Sequence, residues 1–241
     1  LHLGAEVGMM GGWGELALAF GVFLASHGVP VQPPVKRRLI AALGPGGYLV
    51  AYGALSVAVL AWLIVAAGRT PHVPVLPWAA WQAWVPNLAM PAVCLLIAFG
   101  TAAPNPLSFG GARNDRFDPA RPGIAGLTRH PLPWALALWA AAHALANPDL
   151  AHLLMFGGFA GFAILGTRII DRRNRRLLGV AEWQRLAAST SNLPLAALVA
   201  GRWRPRRGPA PARLIIAVAL WAMLVLSHAP VIGVSPVPTH C

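Results

Sequence analysis

The stretch Leu150-Ala151-His152-Leu153-Leu154-Met155-Phe156-Gly157-Gly158-Phe159-Ala160-Gly161-Phe162-Ala163-Ile164-Leu165-Gly166-Thr167-Arg168-Ile169-Ile170 runs straight into Asp171-Arg172-Arg173-Asn174-Arg175-Arg176. A helix needs about 20 apolar residues to cross the hydrocarbon core of a bilayer. The first part of the stretch is that long, and its lone formal charge, Arg168, stands near its end. The second part is the kind of arginine run that stays on the cytoplasmic side of a membrane. A transmembrane helix followed by a basic cytoplasmic segment is the reading, and the rest of the chain repeats the pattern.

Just upstream, Asn147-Pro148-Asp149 is a tight-turn signal. It joins this span to another apolar run, from His130 to Asn147, so the two form an antiparallel hairpin. Further apolar stretches run from about Trp13 to Gly28, Tyr48 to Ala67, Val85 to Ala103 and Leu214 to Val231. Nothing alternates with period two as a barrel strand would, and in lipid a helix satisfies its own backbone. The expected fold is all-α: a polytopic membrane helical bundle of about six transmembrane helices.

Composition agrees. Of 241 residues, 57% are hydrophobic and 11% charged, where soluble chains carry about 25% charged residues. Mean hydropathy is +0.60. The net charge of +12 would suggest nucleic acid in a soluble protein. Here the basic residues lie between apolar runs, so membrane lipid is the expected partner and nucleic acid is not. Lys36 to Arg38 follow the first span, Arg113 to Arg129 separate the third and fourth, and eleven arginines from Arg168 to Arg213 surround the link between the fifth and sixth. Only Arg69 falls on the other side. The positive-inside rule then places these segments in the cytoplasm and both termini outside, in a multi-pass protein of a bacterial-type inner membrane.

Cys94 and Cys241 make neither a disulfide framework nor a metal signature. The start, Leu1-His2-Leu3 with Glu6 close behind, shows no signal peptide with a basic head. Residues 171–188 read as a basic, partly amphipathic helix able to lie on an anionic leaflet. The apolar run Leu193 to Val199 is too short to span and reads as re-entrant or interfacial. Residues 104–122, rich in Pro, Gly and charge, are a candidate lid, and Arg202 to Pro211 a linker. The domain division expected is 1–204, with a linker and an additional span over 205–241. Oligomeric state stays open.

An ionisable residue within a span is costly in lipid and is a functional candidate by default. Glu15 and His228 stand near outer span ends and read as interfacial. His27, His130 and His143 form the more interesting set, because imidazole nitrogen binds iron without carrying charge into lipid. A zinc site has less support, since no acidic or Cys partner stands at ligand spacing. Arg129-His130-Pro131 reads as a helix start, with proline where its missing donor is not needed. Such an end with an arginine suits an anionic group: a propionate, phosphate or carboxylate.

Ser26-His27-Gly28 with Gly44-Pro45-Gly46-Gly47-Tyr48 resembles the first motif of the NnrU family. Leu127-Thr128-Arg129-His130-Pro131, with Trp139 to Asn147 after it, resembles the second. Asp171-Arg172-Arg173, Thr190-Ser191-Asn192-Leu193-Pro194-Leu195-Ala196-Ala197 and Gly201-Arg202 resemble the third. The likeness covers about residues 15 to 204, with the sixth span outside it, and extends to the 15-cis-zeta-carotene isomerases of the same family. It implies an integral membrane protein holding haem b. In the isomerase branch, haem iron drives cis–trans isomerisation of a polyene without net redox change. In the bacterial branch the link is to denitrification and nitric oxide metabolism. The resemblance places the axial histidines on His27 and His143 and the histidine of the Arg-His-Pro motif on His130. A hydrophobic polyene is the substrate class it implies, and Arg129 is a candidate partner for a haem propionate.

Helix geometry ranks the histidines differently. Thirteen residues separate His130 from His143, a rise of about 20 Å. If His27 and His130 both stand at cytoplasmic ends, depth favours that pair as axial candidates, and all three remain in play. An alternative is a membrane methyltransferase of the isoprenylcysteine carboxyl type, using S-adenosylmethionine. The helical hairpin and the Arg-His-Pro start resemble it, but the acidic pair expected after the hairpin is replaced here by Asp171-Arg172-Arg173. A transporter would show inverted repeats or matching broken helices, and no internal repeat is visible.

Overall fold

Proline opens three of the apolar helices, at Pro33, Pro131 and Pro211, where a backbone donor would have no helical partner anyway. In the computed structural model the described residues are 2–206 and 208–237, with side chains from residue 12 onward. Cys241, Arg207 and the Glu6 side chain lie outside them. The helices are α1 (His2–Gly28), α2 (Pro33–Gly68), α3 (Ala80–Gly100), α4 (Ile124–Leu127), α5 (Pro131–Ala146), α6 (Leu150–Leu178), α7 (Val180–Ala187), α8 (Ala196–Val199) and α9 (Pro211–Ile232). Among the described residues there is no strand, only an isolated bridge between Pro74 and Asp149. By length and composition α2, α3, α6 and α9 are each able to cross a membrane; α5 is apolar but only 16 residues long. With α1, these are the six apolar stretches of the sequence. The chain is an all-helical membrane protein.

The chain divides into two compact units, Leu1–Pro77 with Pro148–Met155, and Trp78–Asn147 with Phe156–Cys241.

In the first unit α1 packs on α2. Leu16, Ala19 and Phe23 of α1 and Val59, Leu63, Ala66 and Ala67 of α2 are buried. Glu15 is not a lone interfacial charge. It accepts hydrogen bonds from Arg69 and from the Trp62 indole, both at 3.1 Å. The basic segment Lys36 to Arg38 is helical rather than a loop. It belongs to α2, which kinks at Gly44, where φ is 71°. That left-handed conformation is cheap only for glycine.

In the second unit α3 is central and packs on both α5 and α9. Val93 and Leu96 meet Ala135 of α5, and Cys94 and Ala98 meet Ala217 of α9. Alanines at 135, 137, 140 and 142 are all buried, which lets the helices approach closely. Arg213 opens α9 by donating to the Ala98 and Thr101 carbonyls at the end of α3. Residues 171–178 continue α6 as helix, and α7 follows after Gly179. The apolar face of α7 is covered by protein: Trp183, Leu186 and Ala187 pack with Leu107 and Phe117. The short apolar run after Leu193 holds a single helical turn, α8, packed on α4.

Candidate functional site

The start of α5 carries a buried polar knot. Thr128, Arg129 and His130 enter it from the short segment between α4 and α5, Asp171 from α6, and Thr190, Ser191 and Asn192 from the turn after α7. All but Asn192 are buried, and His130 is 0% exposed. Polar groups survive such burial only when bonded, and these are bonded to one another.

Asp171 lies at the centre. Arg129 Nε donates to both of its carboxylate oxygens at 3.1 Å, and His130 Nε2 lies 3.0 Å from Oδ1. Arg129 Nη1 donates to Thr190 Oγ1 at 3.0 Å, and that hydroxyl donates on to the Ala187 carbonyl. The Arg129 guanidinium also stands over the Trp183 ring, 5.1 Å from its centroid, while Arg175 stands 4.0 Å from it. The other nitrogen of His130, Nδ1, lies 3.0 Å from Ser108 Oγ. With a carboxylate at Nε2, that nitrogen carries the proton and Nδ1 accepts from the serine hydroxyl.

Backbone groups are drawn in as well. The Arg129 amide donates to the Ser191 carbonyl, and the Arg129 carbonyl accepts from Asn105 Nδ2 at 2.9 Å. Thr128 Oγ1 and Trp134 Nε1 both donate to the Asn192 carbonyl at 2.8 Å. Asn192 Nδ2 donates to Thr167 Oγ1. Asn105 and the Leu107 carbonyl, which accepts from Asn174, tie the 104–122 segment down. These bonds brace the start of that segment. The second and third sequence motifs, forty residues and more apart, meet here. Sequence reasoning singled out Arg129 and His130 but missed Asp171 and Ser108 as their partners.

His143 stands near the far end of α5, the end away from His130. Its Nδ1 lies 2.8 Å from the Trp139 carbonyl four residues earlier. A carbonyl only accepts, so Nδ1 carries the proton and Nε2 holds the lone pair of the neutral ring. Trp139 and Phe156 flank the ring, with centroids 5.2 and 5.5 Å away. His27, in the first unit, repeats this arrangement. Its Nδ1 lies 2.9 Å from the Phe23 carbonyl, again four residues back, with Phe23 and Tyr52 rings at 4.3 and 6.1 Å.

The donor chemistry tests the three candidates for an imidazole-bound metal. Ligating histidines characteristically anchor one ring nitrogen to a carbonyl or carboxylate and offer the other. His143 fits, and His27 shares its Nδ1 anchor on a carbonyl. His130 does not fit, because Ser108 and Asp171 take both of its nitrogens. Arg129 likewise has an internal anion, Asp171, where the sequence suggested a propionate. The depth argument that paired His27 with His130 did not foresee these bonds. Among the described residues no three His, Cys, Asp or Glu side chains gather at one point. His228, read as interfacial, is bound through Nδ1 to the Val234 carbonyl just past α9.

The family model described as NnrU protein matches residues 15–236 of the chain. No curated protein and no solved structure matches it. The matched stretch takes in α9, which sequence reading had set outside the likeness.

Proposed function

The chain belongs to the NnrU family, and we propose that this member is an integral membrane protein that binds haem b, with His27 and His143 each a candidate iron ligand. The observation that carries the proposal is the shared state of these two rings. Each sits on an apolar helix among aromatic side chains, with Nδ1–H held by the carbonyl four residues back. That bond keeps the neutral ring in the tautomer whose Nε2 is a ligand, and fixes the ring's direction. Bound haem would supply an iron centre for cis–trans isomerisation of a polyene or for chemistry of nitrogen oxides. The chain's own part is to set the ligand tautomer and an apolar, water-poor surround. The knot of Arg129, His130 and Asp171 has a different role: it locks the start of α5 and so the register of His143 on the same helix. We further place the arginine-rich ends of the helices in the cytoplasm, on the positive-inside rule.

Absorption spectra of the purified protein, oxidised and dithionite-reduced, test the reading. A Soret band is expected in the wild type and in Ser108→Ala, and its loss in His27→Ala and in His143→Ala. A colourless wild type from haem-replete cells overturns it. So does a band that survives both histidine substitutions. Whether polyene or nitrogen oxide is the substrate follows from incubating the coloured protein with each.

A further inference from the structure

Arg202, Arg204 and Arg206 line a cavity of about 410 Å³ together with Trp203, Ser189 and Gly201. No Asp or Glu lines it, and among the described residues none of the three arginines has an ion-pair partner. Arg121, Arg129 and Arg185, by contrast, are each matched by a carboxylate, and it is the shared hollow that distinguishes the three from the other arginines without one. The Ser189 hydroxyl is already committed to the Pro119 carbonyl.

The strand of chain that carries the arginines is held in place. Backbone amides of Arg202 and Trp203 both donate to the Ala197 carbonyl. The Trp203 indole lies on Gly126, where a Cβ would come within 2.4 Å of the ring. Only a residue without a side chain permits that contact. A few residues on in the chain, Pro211 opens the apolar helix α9, a candidate membrane span. Three arginines around one hollow that holds no carboxylate suit an anion with phosphate oxygens. An aromatic beside them at the foot of a span is a common interfacial anchor.

We infer that this cavity is a phosphate site, and that it holds the headgroup of an anionic phospholipid. The inference is independent of haem. Sequence reading assigned leaflet contact to residues 171–188. The apolar face of the α7 part of that segment is covered by protein; the arginines at 202–206 are set apart by lining a common hollow.

The test uses the full chain in nanodiscs of equimolar phosphatidylcholine and phosphatidylglycerol, with retained lipid counted by native mass spectrometry. Wild type is expected to keep phosphatidylglycerol over phosphatidylcholine by about tenfold or more, at roughly fivefold per engaged arginine. Arg202→Gln/Arg204→Gln/Arg206→Gln is expected to lose most of that preference. Arg172→Gln/Arg173→Gln/Arg176→Gln, with the same loss of charge, is expected to keep it. Equal preference in the first variant and the wild type overturns the site. Equal loss in both variants overturns it too, because net charge would then be the cause. A third arm adds inorganic phosphate and glycerol phosphate. Displacement of lipid by millimolar glycerol phosphate overturns the lipid assignment in favour of a soluble phosphate.

Discussion

The two ends of α5 carry the same residue type in opposite states. His130, at the start, is wholly buried and bonded through both nitrogens to Ser108 and Asp171. His143, near the end, is bonded through one nitrogen to its own helix and flanked by aromatic rings. One is a strut in a charged network; the other is a ring held ready with a lone pair. An intramembrane or membrane-edge histidine therefore has no function by composition alone. The partners on neighbouring segments decide whether it braces the fold or offers a ligand.

The contrast is sharpest where the charge is removed. Asp171→Ala leaves Arg129 and His130 buried without their anion, which costs about 3–5 kcal/mol. Thermal unfolding in detergent is expected to show a large fall in midpoint, or no folded protein. If the midpoint holds, the knot is not what locks α5. His130→Ala is next. It strips a partner from Asp171 and Ser108, at about 1–3 kcal/mol, and is expected to lower the midpoint clearly. Gly126→Ala drives a methyl into the Trp203 ring, at about 1–3 kcal/mol for overpacking. It is expected to raise the mobility of the arginine segment, seen as faster proteolysis near Arg204, while the α5 ends keep their difference. His143→Ala removes one bond to a backbone carbonyl whose helix persists without it, at about 0.5–1.5 kcal/mol. A fall for His143→Ala as large as that for His130→Ala breaks the comparison.

Smallest is Glu182→Gln. The Glu182 carboxyl is held below its ordinary range by a hydrogen bond from Arg185, and the pair is exposed. A depressed pKa gives stability that is present above the unfolded value and lost as pH falls through the folded one. Solvent screens this pair, so the unfolding midpoint at neutral pH is expected to stay where it is.

Much of the fold was legible because hydrocarbon imposes one rule on every span: enough apolar residues, with charge kept to the ends. The runs around Tyr48 to Ala67, Val85 to Ala103 and Leu214 to Val231 each turned out to be a helix. The turn at Asn147-Pro148-Asp149 does separate α5 from α6. Lengths beyond the lipid were less legible. Residues 33–43 and 171–178 are helical although charged, because helices do not end where hydropathy does. The role of α7 was misread for a related reason. Its residue spacing says only that one face is apolar, and the cover came from Leu107 and Phe117, more than sixty residues away.

The sequence by itself determined that this is a helical membrane protein of the NnrU family, with His27, Arg129, His130 and His143 as the residues to watch. Those conclusions rest on local composition and motif, which need no knowledge of neighbours. The tertiary structure alone decided that Arg129 and His130 are spent on Asp171 and that Ser108 completes the chain of bonds. It also decided which arginines line one hollow. Each of these is a matter of angstroms between atoms far apart in sequence. Hydrogen bonds fall off within a few tenths of an ångström, so they are set by how the helices pack and not by the order of residues along them.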